Sequence, residues 1–351
     1  MTSPPVRGLP VGRDLIDAAE RYLAALVLRT PCEFSPVLSR LFARPVWLKW
    51  ELMQPTRSFK VRGALVKARQ LQATYRTTRI GTASTGNHGL GVAYAARVHN
   101  QRAVVFAPEA SNPAKMQAIR ELGAELRVAG SDWQDAFVHA TAACADEGIA
   151  YVHSFDDPHI IAGQATIGTE IAAQVPDAAA VIVPIGGGGL IAGVATGLAE
   201  RGSSAAVIGV QPSGADAMRQ SLAVGHPVMV PPFSSIADGL AARQPGELTF
   251  TITQRLVREI LVVAEPAILR AMATLLRAER LLIEPSAAIT VAALAEHSRT
   301  LPGGHVVCVI TGGNVDPSLL PSLLADPETA RKADLASGQE PSRRAPAAKV
   351  T

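Results

Sequence analysis

"VIVPIGGGGLIAGVATGLAE" (residues 181–200) sets four successive glycines, Gly186 to Gly189, between two apolar runs. The first run reads as a buried strand and the second, from about Leu190, as a buried helix. One or two glycines suffice for a tight strand-to-helix turn. Four in a row let backbone N–H groups crowd around an oxyanion at the positive end of a helix dipole. A nucleoside-triphosphate loop would end in Gly-Lys-Ser/Thr, whereas Leu190 and Ile191 follow here. A dinucleotide pattern can be laid on Gly187, Gly189 and Ala192, but the next strand ends in Gln211, not in the acid that would hold a ribose. The stretch therefore predicts a site for a small phosphorylated cofactor.

The same strand-then-helix unit recurs along the chain. Strands are predicted at 45–50, 80–84, 103–107, 125–129, 150–154, 179–185, 206–211, 259–263 and 305–311, with Ala- and Leu-rich helical segments between most of them. Several are apolar at nearly every position, as parallel strands covered on both faces require. The prediction is a doubly wound α/β fold. Residues 228–250, rich in proline and polar side chains, read as one long loop. The C-terminal segment "RKADLASGQEPSRRAPAAKVT" has no apolar period and is expected to be disordered.

Composition narrows the class further. Of 351 residues, 48% are hydrophobic and 18% charged, values of a globular enzyme and not of a disordered chain. A formal charge of +3, spread without a basic arm or stripe, argues against nucleic-acid binding. Cys32, Cys144 and Cys308 lie far apart with no metal-ligand spacing, and predict reduced thiols in a cytoplasmic protein with no bound metal. The N-terminus lacks the apolar stretch of a secretory signal, and no apolar run is long enough to span a membrane.

Four further motifs accompany the glycine run. "TASTGNHGLG" (82–91) ends a strand in two hydroxyls, a glycine, an amide and an imidazole before a helix, a set suited to a carboxylate or to ordinary helix capping. "VVCVITGGNVD" (306–316) ends another strand in Thr311, two glycines and Asn314. "TRSFKVRGA" (56–64) carries Arg57, Lys60 and Arg62, and "EPSAA" begins at Glu284. With these motifs in this order, the chain from about residue 15 to 320 resembles the fold-type II pyridoxal-phosphate enzymes. Within them it is similar to the serine/threonine dehydratase and serine racemase branch.

The resemblance implies a tryptophan synthase beta-like fold. Residues 12–75 with 155–322 would make a large cofactor-binding domain, 76–154 a small mobile one, and 323–351 a disordered tail. It implies that Lys60 is the Schiff-base lysine, that Phe59 packs on the cofactor ring, and that Asn87 bonds the ring's 3-hydroxyl. Gly186, Gly187, Gly188 and Gly189 would hold the phosphate and Thr311 would face the pyridine nitrogen, with Glu284 and Asn314 near the ring. Ser84, Thr85, Gly86 and His88 would receive the substrate carboxylate, and Gly239 would line the substrate side. A Schiff-base lysine must be unprotonated, so its basicity should be lowered by burial and nearby positive charge. Arg57 and Arg62 are expected to face solvent.

The activity implied is elimination of water from a β-hydroxy amino acid, threonine or serine or a relative, to give a 2-oxo acid and ammonia. A homodimer with a small-molecule substrate is expected. Racemisation is the first rival. It needs an acid–base group opposite Lys60, where serine racemases have serine and this chain has Thr85; Gln211 and Ala217 stand where animal racemases have metal-binding carboxylates. β-Replacement synthesis and a non-catalytic cofactor-binding role are further alternatives.

Overall fold

A computed structural model of the chain describes residues 8–84, 86–109 and 111–324. In chain order its strands are β1 (Cys32–Phe34), β2 (Val46–Trp50), β3 (Arg79–Ala83), β4 (Arg102–Ala107), β5 (Glu125–Val128), β6 (Ala150–Tyr151), β7 (Ala178–Pro184), β8 (Ala206–Pro212), β9 (Val257–Val263) and β10 (His305–Ile310). The helices are α1 (Arg13–Leu23), α2 (Pro36–Phe42), α3 (Lys60–Tyr75), α4 (Asn87–Val98), α5 (Pro113–Glu121), α6 (Trp133–Asp146) and α7 (Pro158–Gln174). They continue with α8 (Gly189–Glu200), α9 (Ala217–Val224), α10 (Glu247–Leu256), α11 (Glu265–Glu279), α12 (Pro285–His297) and α13 (Leu320–Leu324).

The strands form two sheets. One has six strands in the order β1-β2-β10-β7-β8-β9, and the other four in the order β5-β4-β3-β6. Every pairing between named strands is parallel except β1 with β2. β7 and β10 are central to the larger sheet and buried along nearly their whole length, as helices on both faces demand. β1 was not predicted. Its three residues, mostly exposed, make an antiparallel edge strand with little apolar signal. The predicted loop at 228–250 is likewise interrupted, by a 3₁₀ turn at Asp238–Leu240 and by the start of α10.

Close backbone contact fixes α3 against α7. A Cβ on Gly163 would lie 2.5 Å from the Cα of Gly63, so only glycine fits the crossing. Beside it lies a buried ionic network that corrects the expectation for Arg62. Arg62 is 1% exposed. Its guanidinium donates to Glu51 (2.7 and 2.8 Å), to Glu170 (2.7 and 3.0 Å) and to the Thr166 hydroxyl at 3.0 Å. Lys49, fully buried, donates to the Thr30 carbonyl and to Gln174 and pairs with Glu170. Arg57 is exposed as expected.

Residues through Asp316 form one compact unit, and a second begins at Pro317. The described part of the second is a 3₁₀ turn, Pro317–Leu319, followed by α13. The expected tail from 323 thus begins inside α13, and its remainder lies outside the described residues. No helix among the described residues is long and apolar enough to cross a membrane.

Candidate active site

Four helix starts converge on one cleft at the carboxyl ends of β3, β7 and β10. Lys60 is the first residue of α3, Asn87 of α4 and Gly189 of α8, while Glu284 caps α12. The cleft is bordered by Phe59, Lys60, Ser84, Gly86, Asn87, His88, the run Gly186–Gly189, Gly239, Glu284 and Thr311. Asn87, the glycine run and Thr311 follow β3, β7 and β10 directly, and the carboxyl edge of a parallel sheet collects such junctions; Lys60 arrives from beyond β2 through a 3₁₀ turn, and Glu284 from the α11–α12 connection. Thr85, expected among them, lies outside the described residues. Asn314 stands one layer behind, donating through Nδ2 to Asn87 Oδ1 at 2.7 Å and to the Thr56 carbonyl at 3.0 Å.

Lys60 reaches the cleft through a pinned approach. Arg57 takes a left-handed conformation (φ 58°), and the chain around Ser58 bridges to Gly312. Phe59 N–H donates to the Thr311 carbonyl at 3.0 Å, and Gly313 N–H to the Arg57 carbonyl at 2.9 Å. Lys60 Nζ then donates to the Ser154 carbonyl at 3.0 Å and lies 5.3 Å from the Phe59 ring centroid. Burial pushes its ammonium down to about 8, against the opposing pull of Glu284. Burial is therefore the cause found. The expected cationic neighbour is not, since Arg62 is committed to its carboxylates. The free-amine fraction is still raised at neutral pH, as nucleophilic amine chemistry needs.

The glycine run is a bare cradle. Gly188 has φ +100°, and a Cβ on Gly187 would come within 2.4 Å of the Phe155 ring. Among the described residues, none accepts a hydrogen bond from the amides of Gly186, Gly187, Gly188 or Gly189. Unpaired N–H groups at the start of α8 form an anion site. Together with a half-buried amine and a hydroxyl at Thr311, they fit an aldehyde cofactor carrying a phosphate.

Two titratable groups flank the amine. Burial pushes the Glu284 carboxyl up to about 7, with Lys115 and the Asn87 hydrogen bond opposing. His88 is 4% exposed, with Nε2 3.3 Å from the Val152 carbonyl. Burial, then Lys60, hold it down at about 3, so it is neutral at physiological pH. Ser84 is a local organiser, its hydroxyl accepting from the amides of Gly86 (3.0 Å) and Gly89 (2.9 Å). Gly239 N–H donates to Ser286 Oγ at 3.1 Å, which seats the substrate-side turn on α12.

Several cleft residues were not singled out from sequence. Ser286 lies inside the quoted motif "EPSAA" and Asp238 stands beside Gly239, so both could have been taken with them. Trp133, Ser154 and Phe155 stand at the cleft without any motif to mark them. Lys115 also borders it, paired with Asp238 at 2.7 Å across 123 positions that no local pattern connects. Among the described residues, no group of three or more His, Cys, Asp or Glu could hold a metal ion.

Comparison with known proteins places this geometry. The protein family described as "Pyridoxal-phosphate dependent enzyme" matches residues 23–312. The chain is 40% identical over 302 residues to an L-threonine ammonia-lyase of Geobacter sulfurreducens, spanning 86% of this chain and 75% of that protein. Among solved structures it resembles the processed form of threonine deaminase isoform 2 from Solanum lycopersicum, with 33% identity, a TM-score of 0.82 and coverage of 92% of each chain. Maize serine racemase superposes with a TM-score of 0.83 at 29% identity, over 93% of this chain and 98% of that one.

Proposed function

The chain belongs to the family of pyridoxal-phosphate-dependent enzymes, and from that premise we propose that it is an ammonia-lyase acting on a β-hydroxy amino acid. Threonine, serine or a close relative loses water across Cα and Cβ, regains it at Cα, and leaves as a 2-oxo acid and ammonia. Bound pyridoxal phosphate supplies the electron sink that acidifies the substrate's α-proton.

The chain's own residues do the rest. The amides of Gly186–Gly189 would bind the cofactor's phosphate, and Phe59 would pack against its ring. Asn87 would donate from Nδ2 to the ring's 3-oxygen. Thr311 would offer the pyridine nitrogen a neutral hydroxyl, not a carboxylate that would hold it protonated, and this would favour prompt loss of the β-hydroxyl over transamination. Lys60 Nζ takes the α-proton, a role its lowered basicity suits. Ser84, Gly86 and His88, with Thr85, receive the substrate carboxylate, and Gly239 bounds the side chain. Residues 76–154 act as a small mobile domain over the rest, and the enzyme works as a cytoplasmic homodimer.

One observation carries this reading: a half-buried amine of reduced basicity shares a cleft with a run of unpaired amides. The test is a panel of β-hydroxy amino acids assayed with the cofactor-saturated protein for 2-oxo acid and for inverted enantiomer. Steady 2-oxo acid from threonine or serine is expected, and Lys60→Ala should abolish it together with the cofactor's Lys60-dependent absorbance. Inversion outrunning elimination would overturn the assignment in favour of a racemase.

A further inference from the structure

Asn87 has an amide whose orientation is set by a chain of hydrogen bonds starting at a main-chain carbonyl. The Thr56 carbonyl can only accept, so the Asn314 atom that meets it at 3.0 Å is the nitrogen. That nitrogen donates its other hydrogen to Asn87 at 2.7 Å, and the Asn87 atom facing it must be the acceptor, Oδ1. Asn87 Nδ2 is thereby turned the other way. There it meets both carboxylate oxygens of Glu284, at 2.8 and 3.0 Å. One amide hydrogen is shared between those oxygens, and the second is left for the cleft that Asn87 borders. Without the relay an asparagine could present oxygen or nitrogen with similar ease, since the two ends are nearly the same shape.

We propose that Asn314 and Glu284 are positioning residues: they clamp the Asn87 amide from both ends so that it meets its ligand only as a donor. Their sequence separation from Asn87 is large, 227 and 197 positions, so the clamp exists only once β3 and β10 have brought their ends together. It rests on the reading above that Asn87 faces the oxygen of the cofactor ring, and it changes the place of two residues in that reading. Asn314 acts through Asn87 without reaching the cleft, and Glu284 is first an acceptor for the amide.

The readout is equilibrium retention of pyridoxal phosphate, followed by the cofactor's absorbance, in a double-mutant cycle. Asn314→Leu and Glu284→Met remove the donor and the acceptor at nearly constant volume. Each should weaken cofactor retention about tenfold, the effect of losing control over one hydrogen bond to a charged group. On an Asn87→Ala background the same changes should cost less than about twofold, because there is no amide left to orient. Glu284→Gln keeps an acceptor oxygen and should hold close to the wild-type value. Equal losses on both backgrounds would mean a merely structural role and overturn the proposal, as would no loss in either single variant. Should Asn314→Leu fail to fold, the Glu284→Met and Glu284→Gln pair runs the same cycle alone. A wild-type protein with no Lys60-dependent absorbance would instead sink the proposed function, a distinct result.

Discussion

Arg62 shows what a single residue's neighbours in sequence cannot tell. Arg57 and Arg62 sit on either side of Lys60 in one short basic stretch, yet one is exposed and the other is the largest fully buried side chain of the molecule's described part. The difference lies in partners 11 and 108 positions away, Glu51 and Glu170, which no local pattern connects to it. The role proposed for Lys60 rests on a short motif and could be read locally; the burial of Arg62 depends on tertiary pairing. A buried guanidinium that loses a carboxylate keeps its desolvation cost without compensation, so Glu51→Ala is expected to destabilise the protein by about 3–5 kcal/mol. Equilibrium denaturation by urea checks it, at a pH where both carboxylates are ionised. A change below about 1 kcal/mol, the range of exposed pairs, would show that the network is wetter than its burial implies. Because Arg62 sits two residues from Lys60, the same variant should also lower cofactor retention.

Among elements, legibility followed burial. Nine strands announce themselves as apolar runs, and each appears in the structure with ends shifted by one to three residues, as terminal residues fray. β1 and α10 did not stand out, because a three-residue edge strand has no period to detect and "ELTFTITQRL" follows a proline-rich loop with four polar residues among its first seven. Helix packing was invisible for another reason. The glycines of "VRGAL" and "IIAGQ" look like ordinary helix interruptions until α3 and α7 cross there. Gly163→Ala would put a methyl into the backbone of Gly63, a clash that only separation of the helices relieves. Overpacking of this kind costs about 1–3 kcal/mol. Since α3 begins with Lys60, its displacement should also redden or weaken the cofactor's absorbance, measured beside the thermal midpoint. An unchanged spectrum with full stability would mean the crossing carries no strain.

At the scale of the molecule, two parallel sheets hand their carboxyl ends to one cleft, and the groups buried there make stability depend on acidity. His88, at the head of α4, is enclosed by the Val152 carbonyl and faces Lys60 of α3 and His153 beyond β6. Its imidazole titrates near 6.5 once the chain unfolds and only at about 3 while folded. Between those values the unfolded chain binds a proton that the folded one refuses, so stability falls as pH drops from about 6.5 toward 3. Glu284 works against it: its carboxyl holds a proton up to about 7 in the fold but only to 4.5 outside, so from this group alone stability rises as pH drops from 7 to 4.5. Between pH 6.5 and 4.5 these two slopes oppose one another, while His99 and His153, whose imidazoles burial also holds down, add to the side of His88. Denaturant midpoints of the cofactor-free protein should therefore fall from pH 6.5 to 5, less steeply than the histidines alone would make them. In Glu284→Gln the counterweight is gone, and the loss over the same interval should steepen relative to the wild type by up to about 1.4 kcal/mol per pH unit. In His88→Asn the fall through that window should be shallower than in the wild type by a similar amount. If both variants track the wild type, neither group is held in the protonation state that its burial demands.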